Sequence, residues 1–189
     1  WLFHAESGHY EQAWRLLTEE NPLPAVMGRV CYHPCETSCN RGQLDQSVGI
    51  NGIERFLGDE ALRLGWKFDA PKGSSGKKVL VVGAGPSGLS AAYHLTRFGH
   101  SVTIREAGPV AGGMMRFGIP KYRLPREVLD AEVQRILDLG VRLELGSKVS
   151  NVLQAKTEGG FDAVFLAVGA HLAKRAYIPA GSAAKMLDA

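Results

Sequence analysis

Gly83-Ala84-Gly85-Pro86-Ser87-Gly88 joins a strand-like segment to a helix-like one, and few folds accommodate such a junction. Lys77 to Val82 ends in an unbroken apolar run, as in a parallel strand buried on both faces. Pro86 to Phe98 places Leu89, Ala92, Tyr93 and Leu95 at helical spacing, and Ser101 to Arg105 reads as a second strand. The spacing predicts a βαβ unit. Each glycine then has its own physical reason. Gly83 permits the tight turn, Gly85 lets a phosphate reach the backbone, and Gly88 removes a side chain where helix and strand approach. The pattern continues through Ala92, Gly99 and Val102 to Glu106, about 20 residues on, where an acidic group meets ribose hydroxyls. A carboxylate there repels a 2′-phosphate, so the turn suits FAD or NAD and not NADP.

Pro125 starts a second helix whose apolar stripe is Val128, Leu129, Val133, Ile136 and Leu137, ended by Gly140. Val141 to Leu145 and Ala163 to Ala167 supply further strands, so the fold class is α/β with a parallel sheet. Ten of the 23 glycines lie between Gly73 and Gly118, which concentrates the search for a ligand there. The connection Gly112 to Pro125 has neither period, and long structureless loops in compact domains are usually functional. Met114 and Met115 within it serve either a cofactor or the core. Phe161 to Ala170 resembles the apolar strand ending in Ala-Thr-Gly that flavin enzymes of the two-dinucleotide-fold class place beside FAD. Val168 stands where Thr is usual, and Gly169 closes the motif.

Asp69 to Gly76 is a Gly/Ser/Pro stretch without periodicity and reads as a linker. Before it come two helices, Tyr10 to Thr18 and Ile53 to Leu64, separated by an irregular Pro, Gly and Cys-rich segment, Leu23 to Gln43. Cys31, Cys35 and Cys39 recur every four residues, and Pro34 interrupts any single helix through them, so a loop folded around a centre is expected. Soft thiolates in such a loop point to an iron-sulfur cluster or to zinc; reduced structural thiols are the plain alternative, and His33 is expected to be a loop residue. Three cysteines make no disulfide framework, which favours a reducing, cytoplasmic compartment. The net charge of +3 is scattered and argues for no nucleic acid, and no apolar run is long enough to argue for a membrane span. None of His4, His9, His94, His100 and His171 has a catalytic motif around it, so no catalytic acid, base or nucleophile is assigned.

Taken together, Asn21 to Cys31, Pro34-Cys35-Glu36 with Cys39, Gly49 to Phe56, the glycine turn and Gly112-Gly113…Ile119-Pro120…Arg123-Leu124-Pro125 resemble the glutamate synthase small-subunit family of iron-sulfur flavoproteins. The N-terminal arrangement is also similar to that of dihydropyrimidine dehydrogenase. The resemblance implies a helical iron-sulfur domain over 1–70, a linker over 71–76 and an incomplete Rossmann-like FAD domain over 77–189, all within a longer polypeptide. It implies [4Fe-4S] ligation by Cys31, Cys35 and Cys39 with Glu54 as a non-cysteine ligand or neighbour. Met27 stands where many relatives have a fourth Cys, and relatives supply more cysteines upstream of the position of Trp1. It implies FAD contacts from Gly83, Ala84, Gly85, Pro86, Ser87, Gly88, Glu106, Gly112, Gly113, Met114, Arg123, Val149 and Gly169. Electrons then pass from NAD(P)H, held by a further domain, through FAD and the cluster to an electron-accepting subunit or domain. Two other readings are an NAD-dependent dehydrogenase with a structural zinc loop, and a non-catalytic adaptor for a redox partner.

Overall fold

The computed structural model describes residues 1–71 and 73–170. Five helices precede the sheet: α1 (Leu2–Glu6), α2 (Tyr10–Leu17), α3 (Pro24–Val30), α4 (Pro34–Thr37) and α5 (Ile50–Leu64), with a 3-10 turn at Asn40–Gln43. The two expected helices are α2 and α5. The segment from Leu23 to Gln43 is more ordered than its sequence suggests, because α3 and α4 span only seven and four residues, too few for a period to be read. Pro24 and Pro34 each occupy a first helical turn, where a missing N-H costs nothing. Helices α3 and α5 cross in backbone contact. A Cβ on Gly28 would lie 2.6 Å from Arg55 Cα, and one on Gly58 would lie 2.6 Å from Ala25 Cα. Helix α5 ends at Gly65 in the left-handed region, φ 68°, while Trp66 N donates to Ala61 O, closing the last turn.

The sheet contains β1 (Lys78–Val82), β2 (Ser101–Arg105), β3 (Arg142–Glu144) and β4 (Ala163–Leu166), all parallel, in the order β3-β2-β1-β4. Every strand is the one expected, within one residue at either end. Helix α6 (Pro86–Arg97) makes the crossover from β1 to β2; α7 (Met114–Phe117) and α8 (Arg126–Leu137) lie between β2 and β3, and α9 (Val152–Glu158) between β3 and β4. Asn151 caps α9 by accepting from Gln154 N at 3.0 Å. Among the described residues no helix is long and apolar enough to cross a membrane.

The principal core gathers Val81, Leu89, Tyr93, Ile104, Leu124, Leu129 and Ile136 from the sheet and its helices, and it also takes in Leu23 and Val26 from α3 and its N-cap. A second core, Ala13, Trp14, Leu17, Leu57 and Ala61, belongs to α2 and α5, and Phe68 packs against both. Phe68 stacks on Trp14 with ring centroids 5.3 Å apart and lies 4.7 Å from the Tyr93 ring. Across the same junction Tyr93 Oη donates to Thr18 O at 2.7 Å and Arg97 Nη1 to Glu19 O at 2.7 Å. The helical and sheet regions are therefore packed through shared apolar groups before the Pro71 to Gly76 stretch begins.

Candidate functional site

The glycine turn leaves β1 with Gly83 at φ +107°, a conformation that favours glycine. Any side chain there would also strike the Ala167 carbonyl beyond β4. A Cβ on Gly88 would collide with Gly83 O, so the first turn of α6 lies directly on the strand end. Gly85 is different: a Cβ there would meet nothing nearer than Gly113 Cα at 3.9 Å, and its φ of −78° is ordinary. The space in front of Gly85 is thus open to a group that must approach the backbone. No side chain caps α6 and no acidic residue sits in its first turn, which leaves the positive end of a twelve-residue helix facing that space.

Glu106 stands at the end of β2 with both carboxylate oxygens on the backbone. Oε2 accepts from Ala84 N at 2.7 Å, and Oε1 from Gly108 N at 2.8 Å. A carboxylate has roughly four acceptor sites, so about two remain for a ribose. The buried Ala84 joins both sides of the cradle, because its carbonyl accepts from Gly112 N at 2.8 Å. Gly113, φ +50°, then abuts Gly85, where an added Cβ would be 2.8 Å from Gly85 Cα. Open backbone at Gly85, an uncapped helix end and a fixed carboxylate fit the pyrophosphate and ribose of a dinucleotide.

The segment after Gly113 contains one helical turn, α7, which the glycine-rich sequence conceals. Met115 is buried, whereas Met114 is 69% exposed, so core filling falls to Met115 and Met114 is left free to meet a ligand. Arg123 is exposed. Val149 is half-buried two residues after Ser147, whose N-H donates to the main-chain carbonyl of Glu106 at 2.8 Å, so its segment runs along the main chain that follows β2. Gly169, φ +73°, lies two residues beyond Ala167 at the same sheet edge as Gly83. Pro86 and Ser87 are both exposed at the start of α6.

The cysteine segment is arranged otherwise. Cys31 is the C-cap of α3, Cys35 lies in α4 and Cys39 precedes the 3-10 turn; Cys31 and Cys35 are exposed, and Cys39 is half-buried. His33 stands between them at φ +42°, and its N-H donates to Cys31 Sγ at 3.3 Å. Backbone N-H groups of Val48, Arg41 and Gly42, with the Arg41 guanidinium, hold the Cys39 thiol below its ordinary pKa. Glu36 Oε1 accepts from Asn51 N at 2.7 Å and ties α4 to the start of α5. Glu54 accepts from Asn21 Nδ2, and burial raises its carboxyl above the ordinary range. The donors suit an iron-sulfur group in kind, but among the described residues no three His, Cys, Asp or Glu side chains converge to hold a metal.

Two parts of the chain match different family models. Residues 1–66 match the dihydropyrimidine dehydrogenase domain II, 4Fe-4S cluster family, and residues 81–155 match the NAD(P)-binding Rossmann-like domain family. The glutamate synthase [NADPH] small chain of Escherichia coli is 36% identical over 179 residues, covering 93% of this chain and 38% of that one. The chain is a relative of the glutamate synthase small chains. The NADP(+)-dependent formate dehydrogenase subunit beta of Moorella thermoacetica is 40% identical over 193 residues, covering 90% of this chain and 27% of the relative. The NADPH-Fe(3+) oxidoreductase subunit beta of Geobacter sulfurreducens is 40% identical over 173 residues, covering 87% and 25% respectively. The chain thus spans only about a quarter to two fifths of the length of these relatives.

Several supporting residues escape the motif reading. Arg126 donates to the carbonyls of Met115 at 3.0 Å and Ile119 at 2.7 Å, gathering the segment after Gly113 onto α8. Its signal is a basic residue in a helix's first turn, against the dipole. Arg116 donates to Ala111 O at 2.5 Å and pairs with Asp130. Glu132 lies on the apolar stripe of α8, four residues from both Val128 and Ile136, and a carboxylate at that position signals a buried partner.

Proposed function

We propose that this chain is the flavin-binding, cluster-proximal part of a cytoplasmic NAD(P)H-dependent oxidoreductase that passes electrons to a partner subunit or domain. The observation that carries the reading is Ala84, hydrogen-bonded on one side to Glu106 and on the other to Gly112, which closes a dinucleotide cradle around the open backbone at Gly85. In this reading Gly83 to Gly88 and the α6 N-terminus hold the pyrophosphate, Glu106 orients the ribose, and Gly112, Gly113, Met114, Arg123, Val149 and Gly169 line the path toward the isoalloxazine. FAD, when bound, supplies the exchange between two-electron and one-electron chemistry. The chain itself binds and orients, and needs no general acid, base or nucleophile of its own. Cys31, Cys35 and Cys39, with Glu54 beside them, are the residues that would hold a [4Fe-4S] cluster once further donors complete the set.

The relatives' names support the class and differ in the acceptor: formate dehydrogenase, Fe(3+) oxidoreductase and glutamate synthase subunits share it. Three segments make up the assignment, with 1–70 carrying the cluster, 71–76 linking, and 77–189 binding FAD; the nicotinamide belongs to a further domain. The test is anaerobic purification of the chain with released-flavin identification and iron, sulfide and zinc assays on one sample. FAD with iron and sulfide is expected. Zinc with bound NAD overturns the assignment in favour of a dehydrogenase with a structural zinc loop.

A further inference from the structure

Glu132 is fully buried in the middle of α8, on the sheet side of the molecule, yet its two oxygens are spent on the helical side. Oε1 accepts from Ala25 N at 2.9 Å and Oε2 from Val26 N at 2.8 Å, the first free amides of α3 after Pro24. Helix α3 has no side-chain cap of its own, so a residue more than a hundred positions away supplies one. Arg135, one turn on, is 3.8 Å from Glu132 and lies over the Trp14 ring at 5.2 Å and the Phe68 ring at 5.9 Å. Arg29 is the charged group that faces Glu132 from α3, and it is itself paired with Asp59 of α5 at 2.7 Å. The C-cap of the helix that Glu132 holds is Cys31. At its own N-terminus α8 carries Arg126, which gathers the segment after Gly113.

We infer that Glu132 is a positioning residue that fixes the Cys31-bearing helix against the flavin-binding sheet, with α8 as the rigid member between the two sites. The geometry explains why a buried carboxyl group is kept on an apolar stripe. Two adjacent amide N-H groups are met by two acceptor oxygens at one place, and a carboxyl group is the side chain that carries two oxygens on one carbon. Packing alone would be served equally by Gln, which has the same shape. The inference rests on the flavin and cluster reading for what is being positioned, while the contact itself does not depend on it.

The test is residue-resolved amide exchange of Glu132→Gln and Glu132→Ala in the full-length chain, alongside its flavin content. Loss of one acceptor in Glu132→Gln is expected to speed exchange of one of the Ala25 and Val26 amides about tenfold or more, and Glu132→Ala that of both. The amides of β1 and α6 are expected to keep wild-type rates, and flavin content to remain unchanged. In the holoprotein, reductant is expected to bleach the flavin band of Glu132→Gln normally while bleaching of the cluster band slows. Wild-type exchange at both amides in Glu132→Gln overturns the inference, as does equal acceleration at α3 and at β1–α6. If Glu132→Ala does not fold, the isosteric Glu132→Gln alone decides. Absence of flavin or iron in the wild type sinks the functional reading, and the exchange pattern still reports on the clamp.

Discussion

Two segments of the chain each carry three like residues in a short span, glycines at 83, 85 and 88 and cysteines at 31, 35 and 39, and the two motifs fold to opposite degrees of completion. The glycine motif is complete in the fold: Gly83 and Gly88 lie against each other, and Ala84 is bonded on one side to Glu106 and on the other to Gly112. The cysteine motif leaves its thiols apart, two of them exposed. A site made of backbone closes as soon as the strand and helix that bear it pack. A site made of side chains closes only when its full set of donors and its ligand are present.

Gly88→Val is the severest way to break the finished side. The collision is with the backbone oxygen of Gly83, which cannot swing away as a side chain can. Overpacking of this kind costs about 3 kcal/mol or more, a large part of the stability of a domain this size. Loss of soluble protein, or of the cooperative transition in circular dichroism, is the expected result. A variant as stable as wild type would mean that the strand-helix contact is loose and that the turn is no better formed than the cysteine segment.

Glu132 joins the two regions, and its titration measures the junction. Burial pushes its carboxyl up to about 7, outweighing the Ala25 and Val26 amides and the Arg135 and Arg29 charges that favour the ionised form. Burial likewise lowers the Arg135 guanidinium. The folded state therefore keeps a proton that the unfolded chain releases near its ordinary value of 4.5. The contribution is present in full below that value and is lost as pH rises through about 7, a fall of about 3 kcal/mol. Urea unfolding of wild type and Glu132→Gln between about pH 5 and about pH 8 checks this; the difference between them should follow that curve. A flat difference would show that the junction is not electrostatically loaded.

Gly85→Ala sharpens the comparison from the other direction, because the fold itself places nothing close against this glycine. Nothing but Gly113 Cα lies within 4 Å of the added methyl, and the backbone conformation suits Ala. The melting temperature should change by about 2 °C or less, while FAD affinity, read by flavin fluorescence quenching, should fall about a hundredfold as the phosphate is pushed off the backbone. Equal losses of stability and affinity would place Gly85 with Gly88 as a structural residue.

How much of this was legible follows from range. The strands and α6 were readable because period and motif lie within a dozen residues, and the Gly83 to Glu106 placement came with them. Helix α3 was not, since its seven residues hold two turns and its cap comes from Glu132 on another element. The one-turn helix α7 was hidden by glycines for the same reason of length. The change near residue 70 is visible as composition, but the packing across it is not: Phe68 and Arg135 meet Trp14, and Tyr93 meets Phe68, only through tertiary structure. Arg126 and Glu132 did leave a trace, each as a charge in a position that helix physics disfavours.

The smallest effect is expected from the largest change to the unfinished site. Replacing Cys31, Cys35 and Cys39 together with Ser leaves α3, α4 and the 3-10 turn with the same hydrogen bonds, since what holds them is Cys31 N donating to Met27 O, Ser38 N to Pro34 O and Asn51 N to Glu36 Oε1. A Ser hydroxyl can also accept from His33 N in place of the Cys31 sulfur, and from the backbone N-H groups that face the Cys39 sulfur. In chelator-treated, metal-free protein, urea unfolding should therefore shift by about 0.5 kcal/mol or less, as for surface substitutions away from special contacts. In protein purified anaerobically without chelator, the same variant should lose its iron and sulfide. A large loss of stability in the metal-free chain would show that the thiols already hold the segment together, and the contrast between a turn completed by backbone and a loop awaiting its ligands would fall.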